Sequence, residues 1–365
     1  MKNTFGNYLS LTLFGESHGE EIGCVLDGLT PGMRVDPESI AHALSLRRPV
    51  GAYSTGRREE DPFRIVSGCV EGRATGTPLC ILIPNTAQRS SDYAGASTVR
   101  PGHADYTAEM KYHGFQDLRG GGHFSGRITA PLVAAGAILR DALSKKGIHI
   151  GTHIRQLAGI SDRPFGCLAD DITALESRTF AVLEEAAGEK MKAAILSAKA
   201  AGDSVGGILE TCVTGMPAGV GEPWFDTLEG LLSHGLFSIP AVKGVSFGDG
   251  FAMASMRGSE ANDAFYYDDA GIARTRTNHN GGINGGITNG MPLLVSTVIK
   301  PTPTIGMAQK TIDISTRQDT LLSAKGRHDP CIVHRARIVV DSIIALVLCD
   351  ALLGRFGTDY FVPEE

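Results

Sequence analysis

The chain has 365 residues, 42% of them hydrophobic, and a net charge of −6 at neutral pH. Such a length supports one large domain or two ordinary ones with ample apolar core, and the acidic balance argues against a general nucleic-acid binder, which usually carries a basic excess. Seven cysteines, an odd number without Cys-x-x-Cys spacing, argue against a disulfide framework or a zinc site and fit a reducing cytoplasm.

Residues 5–13 read as a strand with interspersed polar residues, unlike the long apolar run of a signal peptide. Asp36-Pro37 is an N-cap with a first-turn proline and predicts a helix to Leu46, ended by Arg47, Arg48 and Pro49. Strands are predicted at 63–70 and 79–83, helices at 106–112, 129–146 and 184–201, and strands at 207–213 and 293–299. The Gly/Asn-rich residues 278–286 form a tight, shaped loop. Asp329-Pro330 repeats the cap-plus-proline signal and opens a helix of about six turns, stopping near Leu353-Gly354. Its most apolar stretch, 342–349, lies between Asp341 and Asp350, too short to span a bilayer, and reads as core.

The mixed order, without regular strand–helix alternation, predicts an α+β fold. No Pro-rich or Ser-rich linker divides the chain, so a single domain over 1–365 is expected. Shifting the sequence by 187 lays Gly15, Ser17, Gly19, Gly28 and Gly32 on Gly202, Ser204, Gly206, Gly215 and Gly219. Either this is coincidence among 46 glycines or the chain holds two pseudo-repeated halves, near 1–185 and 186–365. In the second case His18 falls opposite Val205, and only the first half kept that side chain.

Three histidine patches carry the chemistry: Gly15-Glu16-Ser17-His18-Gly19, Arg100-Pro101-Gly102-His103-Ala104-Asp105 and Lys325-Gly326-Arg327-His328-Asp329-Pro330. Glycine admits backbone N–H groups to a ligand, arginine grips phosphate or carboxylate bidentately, and histidine exchanges a proton near neutral pH. That combination suits a phosphorylated, anionic small molecule. Arg47-Arg48 and Arg57-Arg58 flank a Gly/Ser/Thr segment that reads as an anion clamp or as a solvated face paired with Glu59, Glu60 and Asp61. Residues 119–127 offer three consecutive glycines, a hydroxyl and two arginines, without the Walker or Gly-x-Gly-x-x-Gly pattern. Read alone, the first patch is also an ordinary turn, the 119–127 run a generic glycine loop, and Asp329 an N-cap. The other histidines lack ligand spacing, so no metal is assigned. These residues leave open a phosphatase with a histidine nucleophile or bound metal, the latter disfavoured by the histidine spacing, or a non-catalytic anion or RNA-binding module built on the arginines.

In order and co-occurrence, these segments, with Gly202-Asp203-Ser204, Gly248-Asp249-Gly250-Phe251, Asn278-His279 and Lys300-Pro301-Thr302, resemble chorismate synthase from end to end. The resemblance implies a β-α-β sandwich of antiparallel sheets around helices and a cytoplasmic homotetramer. It implies a lyase converting 5-enolpyruvylshikimate 3-phosphate to chorismate by 1,4-anti elimination, with reduced FMN and no net redox change. NADPH enters only as a reductant, an external flavin reductase being the alternative; neither nucleic acid nor membrane is a partner. His18 and His103 take the acid roles, towards flavin and departing phosphate respectively, and Asp329 assists flavin N5 in taking the ring proton. FMN contacts fall at Arg47, His123, Phe124, Ser125, Ala241, Gly285, Lys300, Pro301, Thr302, Pro303, Thr304 and Arg327. Substrate contacts fall at Ser17, Arg47, Arg48, Arg58, Arg119, Ser125 and Arg127. Two departures stand out: many relatives carry arginine-serine-serine where this chain has His123-Phe124-Ser125, and some carry an arginine where Ala52 stands.

Overall fold

Two antiparallel five-stranded sheets enclose a pair of long helices in a computed structural model that describes residues 2–54, 60–86, 97–323 and 328–363. The first sheet runs in the order Thr4–Phe5, Ser10–Gly15, Glu21–Asp27, Leu79–Pro84, Arg64–Ser67. The second runs Val242–Phe247, Leu293–Ile299, Gly207–Thr214, His149–Leu157, Ile160–Ser161. Strand alternation decides which face is buried: Leu79, Ile81 and Ile83 are fully buried while their neighbours are less so.

The Thr129–Lys145 helix packs on the first sheet, the Val333–Phe356 helix on the second, and the two helices pack on each other. Apolar residues on every side of the second helix reflect neighbours on every side, and almost all its residues from Val333 to Leu353 are buried. The helices touch at Gly136, where an added Cβ would stand 2.3 Å from the Cβ of Ser342. Glycine there sets how closely the two layers approach.

Expected elements appear with small shifts: helices at Pro37–Leu46, Asp105–Tyr112, Thr129–Lys145 and Glu185–Ala200, strands at Leu79–Pro84, Gly207–Thr214 and Leu293–Ile299. Asp36 caps the first helix as expected, accepting from Glu38 N–H at 3.0 Å. Three expectations are corrected. Residues 5–13 are not one strand, because Asp350 on the long helix accepts the N–H groups of Asn7, Tyr8 and Leu9 and draws them out of any ladder. Residues 63–70 break at Gly68, with φ 77°, and the register on Leu79–Pro84 already shifts between Ile65 and Ser67. The last helix begins at Val333 without a side-chain cap, so Asp329 is no N-cap. The sequence reading also passed over strands at His149–Leu157 and Val242–Phe247 and a hairpin of Gln309–Asp313 with Gln318–Leu322.

The two sheets share a pattern. Glu21–Asp27 lies between Ser10–Gly15 and Leu79–Pro84 as Gly207–Thr214 lies between His149–Leu157 and Leu293–Ile299. Gly28 and Gly215 follow the two central strands at φ 90° and 81°, and Gly32 and Gly219 come next at 84° and 91°. Among the described residues no helix is long and apolar enough to cross a membrane.

Candidate active site

The Ser10–Gly15 strand delivers the first histidine patch to the sheet's end, where Gly15 turns at φ 97°. The turn is closed by Gly19 N–H donating to Glu16 O (3.0 Å) and held from outside by the glycine run. Ser17 N–H donates to Gly122 O (3.1 Å), Ser17 Oγ to Arg119 O (3.3 Å), and His123 Nδ1 to Gly15 O (2.8 Å). His18 Nδ1 lies 3.2 Å from Ser17 Oγ. Its ring rests on Gly120, where an added Cβ would stand 2.2 Å from His18 Cε1, so only glycine admits the ring there.

The second histidine meets the same run from the other direction. His103 precedes the Asp105–Tyr112 helix, and its Cε1–Nε2 edge lies over Gly121, 3.6 Å from Nε2 to the ideal Cβ position. Its Nδ1 is 2.7 Å from Asp105 Oδ1. Asp105 also accepts from the backbone N–H, Nε and NH2 of Arg100, at 2.9, 2.8 and 2.7 Å. Burial pushes the Asp105 carboxyl up, but the hydrogen bonds and charges of Arg100 and His103 outweigh it and hold it well below the usual carboxylate range. A carboxylate so fixed orients the imidazole with Nδ1–H inward and Nε2 toward the loop.

The arginines divide into two kinds. Arg47 is buried, 3% exposed, with NH1 3.5 Å from Asp61 Oδ2 and Nε donating to Thr129 Oγ1. Arg127 NH1 takes the other oxygen of Asp61, and Arg127 Nε donates to Asn85 Oδ1 at 2.9 Å. Arg335 donates from Nε to Arg47 O (2.9 Å) and from NH1 to Asp329 Oδ2 (2.6 Å), so Asp329 ends a polar chain reaching back to Arg127. Arg48 donates to Glu60 O while its buried Nε has no hydrogen-bond partner among the described residues, an N–H that an anion would satisfy. Arg119 sits outside, paired to Asp117 at 2.8 Å. Ser125 Oγ accepts from Arg127 N–H, and Phe124 packs edge-on against Tyr112. Ala52, one of the two departures, accepts Lys199 Nζ at its carbonyl.

Of the residues that the resemblance assigns to FMN, Ala241 and Lys300 to Pro303 meet beside Gly102. Lys300 follows the Leu293–Ile299 strand; its N–H donates to Ala241 O (2.9 Å) and its Nζ to Gly102 O (2.6 Å), next to His103. Ala241 turns there at φ 74°. Pro303 lies against Gly102, and Ser204 Oγ donates to Thr302 O, so the Gly202-Asp203-Ser204 motif props this strip. Thr302 Oγ1 is buried without a hydrogen-bond partner among the described residues. An ammonium on Gly102 O and an orphaned hydroxyl two residues further on fit a bound group with phosphate and ring heteroatoms.

Gly285 does not join this cluster: it tops the Ile283–Asn284/Ile287–Thr288 hairpin, and a Cβ there would meet nothing within 4 Å. Arg57, Arg58, Lys325, Gly326 and Arg327 lie outside the described residues. A cavity of about 260 Å³, lined by Phe165, Glu210, Asn278 and Leu294 among others, includes none of the expected site residues. Sequence reasoning passed over Asn85, Thr129 and Arg335 as site builders and gave Asp61 only local partners. Each lacks a local signal, since its partners stand far off in the chain.

A family model described as chorismate synthase matches residues 9–353. Proteins named chorismate synthase from Thermococcus kodakarensis and Thermococcus gammatolerans are 42% and 44% identical, over 96% of this chain and 97% of each relative. The chain also superposes on a solved structure titled "Crystal Structure of Chorismate Synthase" with a TM-score of 0.77 and 28% identity, over 97% of this chain and 94% of the other.

Proposed function

Because the chain belongs to the chorismate synthase family, and so forms chorismate in the shikimate pathway of aromatic amino acid biosynthesis, we propose that His18 and His103 are its two acids. The enzyme is a carbon–oxygen lyase acting on phosphates: phosphate leaves 5-enolpyruvylshikimate 3-phosphate by 1,4-anti elimination. The observation that carries the assignment is the Gly120-Gly121 turn, which His18 meets at one residue and His103 at the next although they stand far apart in the chain.

His103 holds a proton at Nε2 for the departing phosphate, since Asp105 fixes Nδ1 and stabilises the imidazolium. Arg47, Arg48, Arg58, Arg119 and Arg127 neutralise phosphate and carboxylates, with Ser17 and Ser125 alongside and the Arg48 Nε–H without a partner among the described residues. Lys300, Thr302, His123 and Ser125 would hold FMN, together with Arg47, Phe124, Ala241, Pro301, Pro303, Thr304 and Arg327. When bound in reduced form, FMN supplies the electron-rich chemistry needed because the ring hydrogen lost is not acidic. His18 keeps a proton on the flavin side, and Asp329, oriented by Arg335, would assist the flavin in taking the ring proton.

The same reading makes the protein a cytoplasmic homotetramer of one-domain chains with pseudo-repeated halves near 1–185 and 186–365. Seven free thiols support a reducing compartment, and the exposed Trp224, Phe225 and Phe251 support a further interface. NADPH or an external reductase supplies the reduced flavin. The test is an anaerobic assay with dithionite-reduced FMN, following chorismate and phosphate together, with oxidised FMN as control. Both products should appear in equal amounts only with reduced flavin, and His103→Ala should bind flavin and substrate yet lose most turnover. Turnover by His103→Ala at the parent rate removes His103 from the mechanism.

A further inference from the structure

Asn85 stands immediately after the Leu79–Pro84 strand and touches both ends of the turn that carries His18. Its side-chain amide donates to Glu16 O (3.0 Å) and Gly19 O (2.9 Å), and its backbone N–H donates to Glu20 O (2.9 Å). The amide oxygen accepts from Arg127 Nε at 2.9 Å. This fixes which way the amide faces, because two carbonyls require donors and a guanidinium N–H requires an acceptor. Arg127 is itself held by Asp61 and by Pro84 O, the residue preceding Asn85. One side chain therefore links an anion-binding arginine to the backbone on both sides of Ser17-His18.

We propose that Asn85 is a positioning residue for His18, setting the ring's place over Gly120 and coupling that place to Arg127. The inference rests on the role of His18 given above. An amide of this length both donates and accepts, whereas aspartate would keep the Arg127 contact, as an ion pair, but could not donate to either carbonyl. Alanine would remove the side-chain link between the turn and the arginine, leaving Arg127 held by Asp61 and Pro84 O. Displacing a proton-transfer group by an ångström can cost about a hundredfold in rate, and partners that orient active-site groups typically contribute about 10- to 100-fold.

The experiment compares Asn85→Asp, Asn85→Ala, His18→Ala and the double variant Asn85→Ala/His18→Ala, each with full-length protein and reduced FMN. Flavin titration and thermal melting check that each is folded. Asn85→Asp should lose about 10- to 100-fold in kcat, with KM and flavin affinity within about threefold of the parent. The double variant should be no slower than His18→Ala within about threefold, because Asn85 acts through His18. Parent-like kcat in a folded Asn85→Asp overturns the proposal. So does a double variant that loses the full Asn85→Ala factor on top of the His18→Ala loss. If Asn85→Ala fails to fold, the isosteric aspartate variant decides alone. Parent-like turnover by His18→Ala would instead sink the underlying role of His18, an outcome distinct from either.

Discussion

Asp105→Asn changes one atom of the site and separates orientation from bulk. The carboxylate serves four donors, Arg100 N–H and Nε on Oδ2, Arg100 NH2 and His103 Nδ1 on Oδ1. An amide can keep its oxygen at the Oδ2 position, retaining two Arg100 bonds and turning its NH2 towards Arg100 NH2 and His103. The reverse orientation would set the NH2 against two Arg100 donors, so the first is favoured. His103 must then accept at Nδ1, and the imidazolium loses both its counter-ion and its hydrogen bond there. A hydrogen bond to a charged group contributes about 1.5–3 kcal/mol, which at about 1.4 kcal/mol per factor of ten gives a kcat loss of roughly 10- to 150-fold. Steady-state kinetics of the folded variant under reduced FMN supply the measurement. A kcat within about threefold of the parent refutes the orienting role of Asp105.

Two further expectations concern stability. Asp350→Ala leaves three backbone N–H groups, those of Asn7, Tyr8 and Leu9, without their acceptor and should cost about 2–4 kcal/mol in urea unfolding; a loss under about 0.5 kcal/mol would mean water replaces the carboxylate freely. His334, buried at the start of the long helix and bonded through Nε2 to Ser54 Oγ, is pushed by burial and then by Arg335 down to about 3 from 6.5. The unfolded chain therefore binds the extra proton between those values, so stability present above pH 6.5 falls with pH by at most about 1.4 kcal/mol per unit. His334→Asn should shrink the stability difference between about pH 4.5 and about pH 7.5, and an unchanged difference would place the acid sensitivity elsewhere.

What could be read from the chain was mostly local. Asp36-Pro37 announces its helix because capping involves neighbours, and Gly120 and Gly121 are visible as a glycine run because the conformations they adopt are their own. The three histidine patches could be singled out for the same reason. What was not legible lies in partners far apart in sequence. Nothing around Arg335 says that it donates to Arg47 O, 288 residues away, and nothing around Asp61 says that it joins Arg47 to Arg127. The broken strand at residues 5–13 is the sharpest case. Its composition is that of a strand, and its interruption is dictated by a carboxylate on the long helix.

That carboxylate also sets an order of events. Asp350 stands 341 residues from Leu9 and 343 from Asn7. At synthesis rates of about 5–20 residues per second, roughly 17 to 70 seconds separate the appearance of these partners. During that interval the Thr4–Phe5 edge of the first sheet has no anchor for the turn that follows it, and an unlocked edge is where a nascent chain pairs with the wrong strand. A segment made early is thus among the last to be fixed, and its safe passage through synthesis depends on a helix that has yet to exist.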